Sequence, residues 1–154
     1  MKDPSTGTLN SANTSVGGGS STRSPSACPD RRLAVLISGR GSNLQSIIDA
    51  IARGDLDATI AVVLSNRPDA PGLTRAREAG LEAVCLRPRD YADRQAFDRA
   101  IVDLLRARDV DLVCLAGFMR LVGPPILEAF PHRILNVHPS LLPAFPGLDA
   151  QRQA

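Results

Sequence analysis

At 154 residues the chain has room for one domain, and its 18 basic and 16 acidic residues (net +2) are too evenly balanced for a nucleic-acid-binding surface. No stretch approaches the ~18 apolar residues of a membrane span, and no apolar run follows a basic start as in a secretory signal. The three cysteines, Cys28, Cys85 and Cys114, have no metal-ligand spacing, so no metal site is expected. Cys85 and Cys114 lie in apolar runs and read as buried free thiols, which fits a reducing, cytoplasmic setting.

Of the first 30 residues, 20 are Ser, Gly, Thr, Pro or Asn, too few apolar groups to offset the entropy of ordering them. Residues 1–30 therefore read as a disordered low-complexity tail. Its only basic residues are Lys2 and Arg23, and it has little amphipathic pattern, which argues against an organelle transit peptide.

Regular patterning starts at Arg31. Residues 33–38 (LAVLIS) form a continuous apolar run ending at Gly39, the mark of a buried parallel strand. Ser42 or Asn43 is placed to cap a helix through about Arg53, with Leu44, Ile47, Ile48 and Ile51 on one face and Gly54 as its stop. Strands are expected at 59–64, 82–86, 112–116 and 134–137. Helices are expected at 73–79, ended by Gly80, and at 93–108, where Phe97, Ile101, Leu104 and Leu105 share a face. A short helix opens at Pro124-Pro125. Strands alternating with helices imply an α/β fold, a doubly wound, mostly parallel sheet with right-handed crossovers.

Ligands of such sheets bind beyond the carboxyl ends of the strands, at the topological switch point. Three loops there carry unusual residues. Ser38-Gly39-Arg40-Gly41-Ser42-Asn43 reads either as a cradle for one phosphate at a helix N-terminus or as a plain strand-to-helix turn. It is neither a P-loop nor a complete dinucleotide fingerprint, since Leu44 stands where a third glycine would be. Gly117-Phe118-Met119-Arg120-Leu121-Val122 suits a flat aromatic ligand or a connector that covers the core. In Asn136-Val137-His138-Pro139-Ser140-Leu141-Leu142-Pro143, alternation along a strand directs Asn136 and His138 to one face. An amide donor beside an imidazole suits a reaction that builds an oxyanion and moves a proton; the other reading of His138 is structural. His132, in a connector, reads as solvated.

Taken in order, four segments resemble the phosphoribosylglycinamide formyltransferases, the folate-dependent enzymes of purine synthesis. They are Val35-Leu36-Ile37-Ser38-Gly39-Arg40-Gly41-Ser42-Asn43-Leu44-Gln45, Leu64-Ser65-Asn66, Leu115-Ala116-Gly117-Phe118-Met119-Arg120, and Leu135 through Pro143 with Phe145-Pro146-Gly147. The resemblance implies a Rossmann-like formyltransferase fold and transfer of a formyl group from 10-formyltetrahydrofolate, as co-substrate, to the amino group of glycinamide ribonucleotide. It implies that Gly41, Ser42 and Asn43 hold the substrate phosphate, and that Arg94, Phe118, Met119, Arg120, Leu121 and Val122 border the folate. Asn136 would then donate to the oxyanion, and His138 would stabilise that charge and move protons.

By the same resemblance residues 31–154 are the N-terminal portion of a C-terminally truncated domain, since the family's catalytic aspartate would lie beyond Ala154. Asp149 stands where the family commonly has His. The competing readings are a remnant that binds without turnover, and another folate-dependent formyltransferase such as methionyl-tRNA formyltransferase. The latter's first loop lacks the Ser-Gly-x-Gly-Ser-Asn pattern, and it carries a separate basic domain.

Overall fold

The computed structural model describes residues 31–136. The expected tail, Cys28, His138 and everything from Val137 onward lie outside the described residues.

Five strands form one parallel sheet: β1 (Arg31–Ile37), β2 (Ala58–Ser65), β3 (Ala83–Cys85), β4 (Leu112–Leu115) and β5 (Ile134–Asn136). Four helices connect them: α1 (Ser42–Ala52), α2 (Pro71–Glu78), α3 (Arg94–Arg106) and α4 (Pro124–Ala129), with a 3₁₀ turn at Pro88–Asp90 before α3. The strand order is β3-β2-β1-β4-β5. The chain thus winds outward from β1 to β3, then crosses back to lay β4 against the other side of β1. The switch point falls between β1 and β4.

The apolar residues split between the two faces, by strict alternation in β1 and with a register shift in β2 that skips Ala61 and so puts Ile60 and Val62 on opposite sides. Ala34, Leu36, Val62, Leu64, Val113 and Leu115 pack against Phe97, Ile101 and Leu105 of α3 and Ile126 of α4. Val35, Ile37, Ile60 and Val63 pack on the other face against Leu44 of α1 and Ala76 of α2, with Ile47, Ile48 and Ile51 partly buried around them. Helices on both faces explain why β1 is apolar at every position from Leu33 to Ile37.

Helix starts follow three local devices. Asp93 caps α3, its carboxylate accepting the Ala96 N–H at 2.7 Å. Pro71 and Pro124 occupy the first turns of α2 and α4, where the missing N–H costs nothing. At α1 the expected Ser42 or Asn43 cap is replaced by Gly41, which stands at φ +74° and makes no side-chain cap. Only the glycine enters the left-handed region without penalty, so the cap position shifts to it. The cysteine expectation is also corrected: Cys85 and Cys114 are free but half-buried, because β3 and β4 lie in incompletely covered parts of the sheet. Partial burial raises both thiol pKa values.

Glu82, before β3, forms an ion pair with Arg108, which follows α3; Arg108 Nε donates to its two oxygens at 2.9 and 3.0 Å. The guanidinium holds the Glu82 carboxyl below the ordinary glutamate pKa. The stabilisation it provides is complete above that ordinary value and is lost as the pH falls through the lowered one. In denaturant titrations Glu82→Gln therefore costs at most about 1 kcal/mol at neutral pH, the pair being solvent-screened, and nothing once the carboxylate is protonated in acid. Leu36→Ala, at a fully buried position of β1, lowers stability by about 2–5 kcal/mol in the same measurement.

Candidate functional site

β1 ends at Ile37, and the next residue, Ser38, is buried. Its N–H donates to the Gly117 carbonyl at 3.2 Å, continuing the β1–β4 pairing past the last strand residues. Its hydroxyl accepts the Met119 N–H at 2.8 Å and donates to the Asn66 side-chain oxygen. One hydroxyl therefore ties the loop after β1 to those after β2 and β4. Ser38 and Asn66 both fall in the quoted motifs, yet the pattern alone assigned neither a role. The signal was their type: polar residues directly following buried apolar strands.

Beyond Ser38 the chain turns through Gly39 and Gly41 into α1. With Gly41 as the cap, Gln45 N–H donates to the Gly41 carbonyl at 2.9 Å. The N–H groups of Ser42, Asn43 and Leu44 are thus left without an intrahelical acceptor, as at any helix start. The side chains of Ser42 and Asn43 are exposed beside them, and the helix dipole favours an anion there. A helix start with free donors, backed by glycines, is what a phosphate requires.

The first turn of α2 braces this loop. Gly72 N–H donates to the Gly39 carbonyl at 3.0 Å, and the two backbones come so close that a Cβ on Gly41 would stand 2.8 Å from Gly72 Cα. Arg75, one turn later, donates to the Gln45 side-chain oxygen at 2.9 Å and reaches the Arg40 carbonyl at 3.4 Å. Sequence reading missed Gly72 and Arg75, because a glycine after a helix-opening proline looks like an ordinary terminus.

The loop after β4 opens at Gly117, at φ +78°. It leaves Met119 and Leu121 62% and 80% exposed, so neither covers the core as a mere connector would. Phe118 and Val122 are partly buried against the α3 side of the core. The Arg120 guanidinium lies 5.2 Å from the centroid of the Phe97 ring, a cation–π arrangement. Arg94 meets this segment directly, its Nη2 donating to the Leu121 carbonyl at 2.8 Å. At the same end of the sheet Asn136, the last described residue, pairs in register with Leu115 and is exposed. Of the expected site residues, Gly41, Ser42, Asn43, Arg94, 118–122 and Asn136 all lie at the carboxyl ends of the strands.

A cavity of about 540 Å³ begins at Asn43 and Ala116 and runs between α1 and the β4–β5 side of the sheet, past Ile47, Leu112 and Leu135. Its walls are mostly apolar, broken by Arg31, Asn43, Ser46 and Asp57, and Asn43 joins it to the start of α1, where the free N–H groups lie. Among the described residues no cluster of three or more His, Cys, Asp or Glu is placed to hold a metal, and no helix is long and apolar enough to cross a membrane.

This architecture defines a Rossmann-like α/β domain with its ligand loops at the switch point. The chain belongs to the formyl transferase family, which it matches over residues 31–154. It is 40% identical over 124 residues to the phosphoribosylglycinamide formyltransferase of Bacillus subtilis (strain 168), covering 80% of this chain and 64% of that protein. It is 46% identical over 127 residues to the trifunctional purine biosynthetic protein adenosine-3 of Drosophila melanogaster, covering 80% of this chain and 9% of that protein. The crystal structure of glycinamide ribonucleotide transformylase 1 from Symbiobacterium toebii superposes with a TM-score of 0.78 at 59% identity, over 80% of this chain and 58% of that one. The chain thus spans less than two thirds of the length of each.

Gly72 tests the bracing of the first loop. An added Cβ there would stand 2.5 Å from Ile37 Cδ1, 3.1 Å from the Gly39 oxygen and 3.2 Å from Gly41 Cα. Gly72→Ala should therefore destabilise the fold by about 1–3 kcal/mol in denaturant unfolding. It should also move the amide resonances of residues 39–43 while leaving those of β5 in place.

Proposed function

We propose that the chain carries the phosphate-binding half and part of the folate wall of a phosphoribosylglycinamide formyltransferase, working in the cytoplasm on small-molecule substrates. The observation that carries this reading is the junction at Ser38, where a helix N-terminus fit for a phosphate is tied through one hydroxyl to a segment presenting Met119 and Leu121. The names of the relatives in Bacillus subtilis and Symbiobacterium toebii supply the substrate, glycinamide ribonucleotide.

In this reading Gly41, Ser42 and Asn43 receive the ribose phosphate, and 10-formyltetrahydrofolate supplies the formyl group as co-substrate. The folate lies along Phe118, Met119, Arg120, Leu121 and Val122, with Arg94 holding that segment from behind. The substrate amine attacks the formyl carbon, the bond from that carbon to the folate nitrogen breaks, and the amine proton ends on that nitrogen. Asn136 donates to the oxyanion that develops on the formyl oxygen, a role worth roughly 3 kcal/mol for one preorganised donor. His138 stabilises that charge and carries the proton, a contribution of about 10²- to 10⁴-fold in rate for a positioned acid/base.

The test is to supply the chain with glycinamide ribonucleotide and 10-formyltetrahydrofolate and to follow both binding and formylated product. Binding of the ribonucleotide, weakened about three- to tenfold in Ser42→Ala, is expected, with formylated product at a low rate at best, since the chain carries only part of the site, and at a lower rate still in Asn136→Ala. Binding without product would reduce the reading to a binding module. Formylation of methionyl-tRNA in place of the ribonucleotide would contradict it.

A further inference from the structure

Asp98 is an acid where the α3 pattern calls for an apolar residue. It stands three residues before Ile101 and seven before Leu105, on the buried face, and is itself 3% exposed. Its Oδ2 is buried without a hydrogen-bond partner. Burying a carboxyl this way is costly unless the fold uses it.

What faces Asp98 is the end of the 117–123 loop. A Cβ on Gly123 would stand 2.1 Å from Asp98 Oδ2 and 3.3 Å from its Cγ, so the Gly123 backbone lies directly on the carboxyl, and a side chain there would displace it. Burial raises the pKa of this carboxyl, against the Arg94 guanidinium, the Gly123 N–H and the Arg120 guanidinium, which favour the charged form. Two other α3 side chains grip the same loop, Arg94 at the Leu121 carbonyl and Phe97 beneath the Arg120 guanidinium. Three residues of one helical turn and a half therefore hold residues 120, 121 and 123 in succession. The stretch between Gly117 and Gly123 has no secondary structure of its own to fix it.

We propose that Asp98 is a positioning residue: it receives the Gly123 backbone against its buried carboxyl and so fixes the 119–122 segment in the conformation that presents Met119 and Leu121. The ligand consequence rests on the formyl-transfer reading given above, in which that segment borders the folate; the conformational claim does not.

Amide hydrogen exchange on the full chain and its Asp98→Ala and Asp98→Asn variants tests the conformational claim without any ligand. Asp98→Ala should speed exchange at Leu121, Val122 and Gly123 about tenfold while leaving residues 41–45 at the unaltered rate, and Asp98→Asn, which keeps an acceptor of the same shape, should restore most of the protection. Unchanged exchange in the loop, or equal acceleration throughout the sheet, would overturn it, as would an Asn variant no better than Ala. Titration with 10-formyltetrahydrofolate should then show about tenfold weaker binding in Asp98→Ala with glycinamide ribonucleotide affinity unchanged. Equal loss of both would make Asp98 merely structural. If the unaltered chain binds no folate, the formyl-transfer reading fails, and the exchange rates alone decide the role of Asp98.

Discussion

The Ser38 hydroxyl sits where two connections of the sheet part company. β1 sends its chain toward α1 and β4 sends its chain the other way, so a crevice opens between them, and nothing in the parallel pairing alone would fix its width. Ser38 supplies that constraint. Its N–H extends the ladder to Gly117, and its hydroxyl is both acceptor for Met119 and donor to Asn66. In a buried setting each of these polar groups has much to lose if its partner moves, which makes the junction a specific geometry.

From that junction two supports extend in opposite directions. On one side α2 presses Gly72 against Gly39 and Gly41, so that the start of α1 and its free N–H groups are held by backbone contact. On the other side α3 grips the 117–123 loop through Arg94, Phe97 and Asp98. Both helices are anchored in the core, α2 through Ala76 and α3 through Phe97, Ile101 and Leu105. Core packing is thereby transmitted to two loops that have no regular structure. Rigid elements holding exposed loops from behind are the usual way a binding geometry is preorganised.

The strands and helices were readable because each was a run of apolar residues or an apolar stripe bounded by Gly or Pro, and the structure moves their ends by only one or two residues. Those ends are where hydrogen bonding, and not patterning, decides. The cap of α1 was misplaced because Ser42 and Asn43 are good cap residues by type, whereas a left-handed turn at Gly41 removes the need for one. Gly72 was invisible for a different reason: its importance comes from the backbone of Gly39 and Gly41, far earlier in the chain, and no local pattern records that proximity. Asp98 did leave a signal, an acid at an apolar-face position of α3, but helical spacing cannot say what backbone will cover it. The loops at 39–43 and 117–122 stood out by composition, and their meeting at Ser38 follows from the strand order of the structure, which sets β4 beside β1. Asn136 proves to lie in register with Leu115, while His138 falls beyond the described residues.

The most direct measurement is to titrate the chain with glycinamide ribonucleotide and follow every backbone amide by NMR. The account predicts shifts concentrated at Ser42, Asn43 and Leu44, where the unpaired N–H groups meet the phosphate, with smaller changes passed through Ser38 to Met119. Inorganic phosphate alone should reproduce the first set. Shifts centred on the apolar cavity between α1 and β5, or no shifts at all from a folded chain, would contradict it.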